Sequence, residues 1–372
     1  MDSPLRILHV VVNMNRGGAE TLIMNLYRNI NRDKVQFDFL TFKPGVFDME
    51  ILEMGGKVHR IPYIADIGHI GFTRKLSRFF KENQDYKIIH SHMDKMSGFI
   101  LKYAEQANIP VRIAHSHNTE SEGNFLAKLY KWYGGSHILR SATHLYACSN
   151  KAAKWLFGNK SMKAYILKNG IETDKFKFSI NTRKKVRSEL QVKKDTMVIG
   201  HIGRFSHQKN HLFLLDLFSN IHKKIPNSKL VLVGDGPLRQ EIEKKVKKLN
   251  LEDRVKLLGI RPDTHRVLQA FDLFLFPSLH EGLPVTLIEA QGAGLPCLIS
   301  NQITREVDMG IGLVQYFPLT DKASWVSAIN NLELEKQPRD ILQTALAQNG
   351  YNIKETAERM EQSYLAFKEK AI

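Results

Sequence analysis

A chain of 372 residues is too long for one ordinary hydrophobic core and long enough for two domains. Apolar residues make up 43% and charged residues 25%, and no apolar run approaches the roughly 20 residues that span a bilayer, so the composition is that of a soluble globular protein. Subtracting 38 acidic from 54 basic side chains leaves +16, a surplus that draws a protein toward phosphates, nucleic acid or anionic lipid without choosing among them.

The opening MDSPLRILHVVV lacks a basic start, a long apolar core and a cleavage site, so a cytoplasmic location is expected. Its apolar part reads as a strand, and NMNRGGAETLIMNLY then opens a helix. Gly17 and Gly18 fall where backbone amides can approach a phosphate at a helix N-terminus, although a tight turn with no ligand reads equally well. The G-x-G-x-x-G fingerprint is absent here and elsewhere, which counts against a nicotinamide dehydrogenase.

After the strand FDFLTF comes HIGFTRKLSRFFKEN. Arg74, Lys75, Arg78 and Lys81 alternate there with Ile70, Phe72, Leu76, Phe79 and Phe80, a pattern able to lie on an anionic membrane. A helix packed on the first sheet with a basic outer face fits the same spacing. KIIHSH, VRIAHSH and THLYACS read as further strands, and between the last two lies FLAKLYKWYGG, most of whose aromatic residues are expected in the core. Cys148 and Cys297 stand alone, without metal-ligand or redox spacing, in keeping with a reducing compartment.

The rhythm breaks at a polar, basic stretch, and a domain boundary is expected between Asp174 and Lys194. MVIGHIG, KLVLVGDG, VKLLG, DLFLFP and PCLIS then resume it. Strands alternating with helices predict an α/β fold with parallel sheets. The tail places Ala357, Met360, Tyr364 and Phe367 at helical spacing, an amphipathic terminal helix.

The chemistry gathers at strand ends of the second half. GHIGRFSHQKN carries Arg204 and Lys209 just past a strand, beside Gly203, and the carboxyl ends of strands are where α/β sheets bind ligands. Two cations there suit a diphosphate. In FPSLHEGLPVTLIEAQGAG, Pro284 suits a helix start, so Glu281 precedes the helix and Glu289 lies inside it. About 100° of turn per residue lets the two carboxylates meet different parts of one ligand, and the amides of Gly282 and Leu283 at the helix start can engage a polar ligand. A capping acid plus an unrelated surface acid is the plainer alternative.

In order, NMNRGGAE, AHSHNT, NGIETDKF, GRFSHQKN, VGDGPL and PSLHEGLPVTLIEAQGAGLPC resemble the retaining nucleotide-sugar glycosyltransferases of family 4, and among them the EpsF-type exopolysaccharide enzymes of bacteria. That resemblance implies the GT-B fold: two Rossmann-like domains facing across a cleft, residues 1–175 on the acceptor side and 176–350 for the nucleotide sugar, with 351–372 as a helix packing back on the first domain. It implies Glu281 on the donor-sugar hydroxyls, Glu289 on the ribose, Arg204 and Lys209 on the diphosphate, and Gly17 with Gly18 closing the phosphate pocket. His117 matches a histidine beside the donor sugar, with His115 as alternative, and backbone near Ile260 and Arg261 meets the base. The donor is expected to be a UDP-sugar and the acceptor a lipid-linked or oligosaccharide chain, with retention at the anomeric carbon. Membrane contact, if made, is assigned to Arg74, Lys75, Arg78 and Phe79.

No Asp-x-Asp pair occurs, so fixed cations and helix dipoles are expected to stabilise the departing diphosphate without a metal or other cofactor. No zinc-finger or RNA-recognition signature supports nucleic acid as a partner. Two competing readings are a UDP-sugar 2-epimerase of the same fold and a non-catalytic basic protein that binds nucleic acid or lipid.

Overall fold

The computed structural model describes residues 3–121, 123–332, 339 and 343–370. The chain divides into two compact units, residues 1–171 with 352–372, and residues 172–351. Ile171 and Asn352 pair in a parallel bridge where the chain leaves the first unit and rejoins it.

Among the described residues, seven strands build the first sheet: β1 (Leu5–Val10), β2 (Val35–Thr41), β3 (Val58–Arg60), β4 (Ile88–Ser91), β5 (Val111–Ser116), β6 (His144–Ala147) and β7 (Tyr165–Ile166). All pairings are parallel, in the order β3-β2-β1-β4-β5-β6-β7. The second sheet has six: β8 (Met197–Ile202), β9 (Ser228–Val233), β10 (Val255–Leu257), β11 (Leu273–Phe276), β12 (Cys297–Ser300) and β13 (Val314–Phe317). Its order is β10-β9-β8-β11-β12-β13, again all parallel. The α/β class and parallel pairing predicted from the strand–helix alternation are thus found in both halves. Each order reverses once, between β1 and β4 and between β8 and β11, and such a reversal leaves a crevice at the carboxyl ends of the two strands.

The first core closes only with the C-terminal helix Ile353–Lys370. Ala357, Met360 and Tyr364 are fully buried in the same cluster as Ile7, Phe37 and Ile88. In the second unit, the basic stretch expected as a linker forms the helix Ile180–Glu189 and is pinned down by its arginines. Arg183 and Arg187 both pair with Asp272, and Arg187 reaches the Ala270 carbonyl at 3.0 Å, so cations meet the free carbonyls ending helix Thr264–Ala270.

The helix Ile64–Glu82 buries Phe72, Leu76, Phe79 and Phe80. Phe79 is 7% exposed, which corrects its assignment to a membrane surface; Arg74, Lys75 and Arg78 do lie outside. The helix Phe125–Gly135 departs from expectation the other way. Three of its four aromatic residues are on the surface, among them Phe125 at 79% and Trp132 at 64% exposure, while Tyr130 is half-buried.

Candidate functional site

At the β8/β11 reversal, the chain leaves β8 through Gly203 and Arg204, makes a short turn at His207–Lys209, and enters the helix His211–Lys224 through Asn210 in the left-handed region, φ 56°. Lys209 Nζ donates to Glu281 Oε1 at 2.7 Å, and Glu281 is only 7% exposed. The ammonium also lies 4.8 Å from the Phe276 ring centroid. Three bonds staple the two loops: the Leu279 amide to the Gln208 carbonyl at 2.8 Å, Gln208 Nε2 to the His280 carbonyl at 2.8 Å, and Asn210 Nδ2 to the Pro277 carbonyl at 3.2 Å. The cation and the acid are therefore held by backbone as well as by each other.

Glycine makes room for this arrangement. A Cβ on Gly203 would come within 3.3 Å of the Lys209 stem, and one on Gly234, at φ +138°, within 2.1 Å of the Gly203 carbonyl oxygen. Only glycine fits Gly234, on both space and torsion. Arg204 is exposed and forms no ion pair among the described residues. Its guanidinium is open to an anion.

Pro284 stands just before the helix Val285–Gly292 with φ −73° and ψ 108°, one residue earlier than a first helical position. Gly282 and Leu283 are buried, and Glu289 is half-buried in the helix. Burial pushes the Glu289 carboxyl up to about 7. Ile260, 58% exposed, follows Gly259, whose carbonyl accepts the Gly234 amide at 2.8 Å. Arg261 is committed to Asp263 at 2.7 and 2.8 Å. Of the expected donor residues, the structure joins Lys209, Glu281 and Gly203 directly; Arg204 leaves the same strand end, Glu289 lies along the following helix, and Ile260 lies beyond β10.

The first unit places His117 in company the motif analysis missed. His9 and His90 are register partners on β1 and β4. His9 Nδ1 bonds His92 Nε2 at 2.9 Å, and His92 Nδ1 bonds His117 Nε2 at 2.8 Å. A parallel chain links Tyr364 Oη, His90 and His115 at 2.7 and 3.1 Å. The repeated His-Ser-His of KIIHSH and VRIAHSH was the visible signal, since alternate residues share a sheet face. Burial holds His9 and His117 down near about 3, and burial with neighbouring imidazoles holds His90, His92 and His115 far below their usual value. The cluster is neutral at physiological pH. His115 is fully buried and His117 half-buried, so His117 is the more accessible of the two candidates. His92, His115 and His117 each offer a ring nitrogen within 4.8 Å of the others, as do His9, His90 and His92, an arrangement suited to a cation.

Gly17 caps the helix Gly18–Asn29 in an extended conformation, without a side-chain cap. A Cβ there would lie 2.2 Å from a Glu20 carboxylate oxygen, so an acid of the first turn already faces this helix start. A phosphate would have to displace it. A cavity of about 470 Å³ elsewhere in the first unit, bordered by Tyr146, Lys163, Tyr165 and Phe367, includes none of the expected site residues. No helix among the described residues is long and apolar enough to cross a bilayer.

Two family models match the two halves, Glycosyltransferase Family 4 over residues 16–175 and Glycosyl transferases group 1 over residues 182–352. The chain is 40% identical to the putative glycosyltransferase EpsF of Bacillus subtilis over 94% of both chains. It is 28% identical to an Escherichia coli UDP-Gal:alpha-D-GlcNAc-diphosphoundecaprenol alpha-1,3-galactosyltransferase over 80% of each. Among solved structures, Anabaena HepE in complex with UDP and glucose superposes with a TM-score of 0.81 at 20% identity, covering 96% of this chain and 99% of that one. The strand orders of this chain and these matches together establish that it belongs to the family 4 glycosyltransferases of GT-B fold.

Proposed function

We propose that this glycosyltransferase moves a hexose or N-acetylhexosamine from a UDP-sugar to a lipid-linked saccharide in bacterial polysaccharide assembly. The observation that carries the donor reading is the Lys209–Glu281 pair, 2.7 Å apart at the reversal of the second sheet, with Arg204 exposed on the same loop. In this reading Arg204 and Lys209 take the diphosphate, Glu281 and the Gly282 and Leu283 amides take the sugar hydroxyls, and Glu289 takes the ribose. The relatives support the substrate classes: HepE binds UDP and glucose, and the E. coli relative is named for a UDP-galactose donor and a diphosphoundecaprenol-linked acceptor.

The chemistry follows from charge. As the anomeric carbon–phosphate oxygen bond breaks, negative charge grows on the diphosphate, and preorganised cations stabilise it most where water is scarce. The acceptor oxygen bonds the anomeric carbon from the same face, and its proton passes to the departing phosphate oxygen, giving retention. Fixed cations serve without a metal. The first unit selects the acceptor, and His117 offers a neutral ring nitrogen to a sugar hydroxyl.

A panel of UDP-sugars with acceptor in EDTA, read by UDP release, tests the proposal. Release by wild type and its loss in Glu281→Ala are expected. Strict dependence on Mg²⁺ or Mn²⁺ would refute the metal-free step, and an epimerised donor formed without acceptor would replace transfer by epimerisation.

A further inference from the structure

Hydrogen bonds within the histidine cluster of the first unit do not satisfy every ring. Its two runs of bonds end at His9 Nε2, His115 Nε2 and His117 Nδ1, and these three atoms are buried without a partner, although buried polar atoms are normally paired. Two of the three belong to the trio His92, His115 and His117, whose ligand-capable nitrogens lie within 4.8 Å of one another. The other trio, His9, His90 and His92, shares His92 and holds only one of the stranded atoms. One ion, not two, therefore fits the cluster, and the first trio is the better seat. His92 and His117 are half-buried, which gives an ion a way in.

Strand pairing brings the three rings together. The register of β4 on β5 sets Ser91 against Ala114, so His92 follows beside His115, and His117 lies two residues on along the same face. A metal-bound imidazole keeps its second nitrogen on an outer partner. His92 Nε2 has His9 at 2.9 Å, and His115 Nδ1 has His90 at 3.1 Å, itself bonded to Tyr364 Oη at 2.7 Å. That leaves His92 Nδ1 and His115 Nε2 for an ion, and His117 Nε2 lies 2.8 Å from His92 Nδ1. Asp94 Oδ1 accepts the His117 amide at 3.3 Å, so a carboxylate stands beside the ligands and offsets part of a dication's charge. Burial keeps all three rings neutral, the form that ligates. Nitrogen donors without a carboxylate among them suit zinc and its neighbours, whereas Mg²⁺ and Ca²⁺ take oxygen.

We propose that His92, His115 and His117 form a binding site for one zinc-class divalent cation, with His9 and His90 as the outer partners that orient the rings. Three protein ligands leave a fourth position open. The inference is independent of the donor assignment: UDP release is measured in EDTA, which strips this site, so the two readings fail separately. The tag-free full chain, first stripped with EDTA, is titrated with Co²⁺, read by the visible absorption of four-coordinate cobalt, and then with Zn²⁺, which should displace it. One ion per chain is expected. Zn²⁺ should raise Tm and Mg²⁺ should not. His92→Gln and His115→Gln should each weaken zinc binding about tenfold or more, at least the loss that an outer partner alone brings. A cooperative thermal transition in EDTA shows that each variant folds, and His117→Gln, at a half-buried ring, carries the test should the buried His115 variant unfold. A wild type that takes up no zinc would overturn the proposal. So would equal zinc binding by wild type and the folded variants, which would place the ion elsewhere on the chain.

Discussion

The two sheets reverse strand order in the same way yet furnish the crevice with opposite chemistry. At the β1/β4 reversal, His9 and His92 begin a run of neutral, mutually bonded imidazoles; at the β8/β11 reversal, a half-buried Lys209 and a buried Glu281 form an ion pair 2.7 Å long. One topology therefore prescribes where a ligand sits, not the polarity that receives it. Neutral rings suit hydroxyl recognition. Paired charges suit a substrate that brings charge of its own.

The largest expected effect comes from acid. Each clustered histidine titrates lower in the folded chain than when unfolded, so its contribution is complete above pH about 6.5 and is lost as pH falls toward the folded value. Several act together, each adding up to about 1.4 kcal/mol per pH unit. Thermal unfolding between pH 7.5 and 5 is expected to show a steep fall in Tm that His9→Phe flattens. A Tm independent of pH over that range would mean that the imidazoles are not buried neutral.

Next in size is the charged crevice. Lys209→Ala removes the ion-pair partner of a buried carboxylate, and Glu281→Ala that of a half-buried ammonium, each at a cost of up to about 3–5 kcal/mol. The double substitution Lys209→Met/Glu281→Leu should recover much of that stability and none of the activity. Denaturation and UDP-release assays on all three variants close the cycle. Additive losses in stability would break the comparison, since they would show that the pair is not a coupled unit.

The smallest effect sharpens the contrast. Glu289 titrates higher in the folded chain than when unfolded, so the fold loses stability as pH rises from about 4.5 to about 7. Glu289→Gln should stabilise the ligand-free chain by roughly 1–3 kcal/mol at pH 8 and weaken UDP binding, read by calorimetry. Unchanged UDP affinity would remove Glu289 from the donor site.

The sequence made the central strands legible, because fully buried parallel strands are continuous apolar runs. β3, β7 and β13 escaped notice. Each lies at a sheet edge, spans two to four residues and lacks such a run. Lys209 and Glu281 were each marked by position at a strand end, but the bond across 72 residues depends on β8 and β11 being neighbours. The histidine cluster was hidden for the same reason: His-Ser-His is visible twice, while its alignment follows from strand order. Helix Phe125–Gly135 shows the limit of periodicity. Spacing reveals that one face is apolar, and the close backbone approach of Gly98 and Gly134 decides that it faces outward.

The return of the last helix to the first unit has a consequence for biosynthesis. Residues 1–171 emerge from the ribosome with a groove in their core that Tyr364 and its neighbours fill, and the 180 residues from 172 to 351 must be translated first. At about 5–20 residues per second, that interval lasts roughly 10–40 s. The nascent chain must carry an open apolar seam for the whole of it, while the second unit can complete its own core ahead of the one that began first.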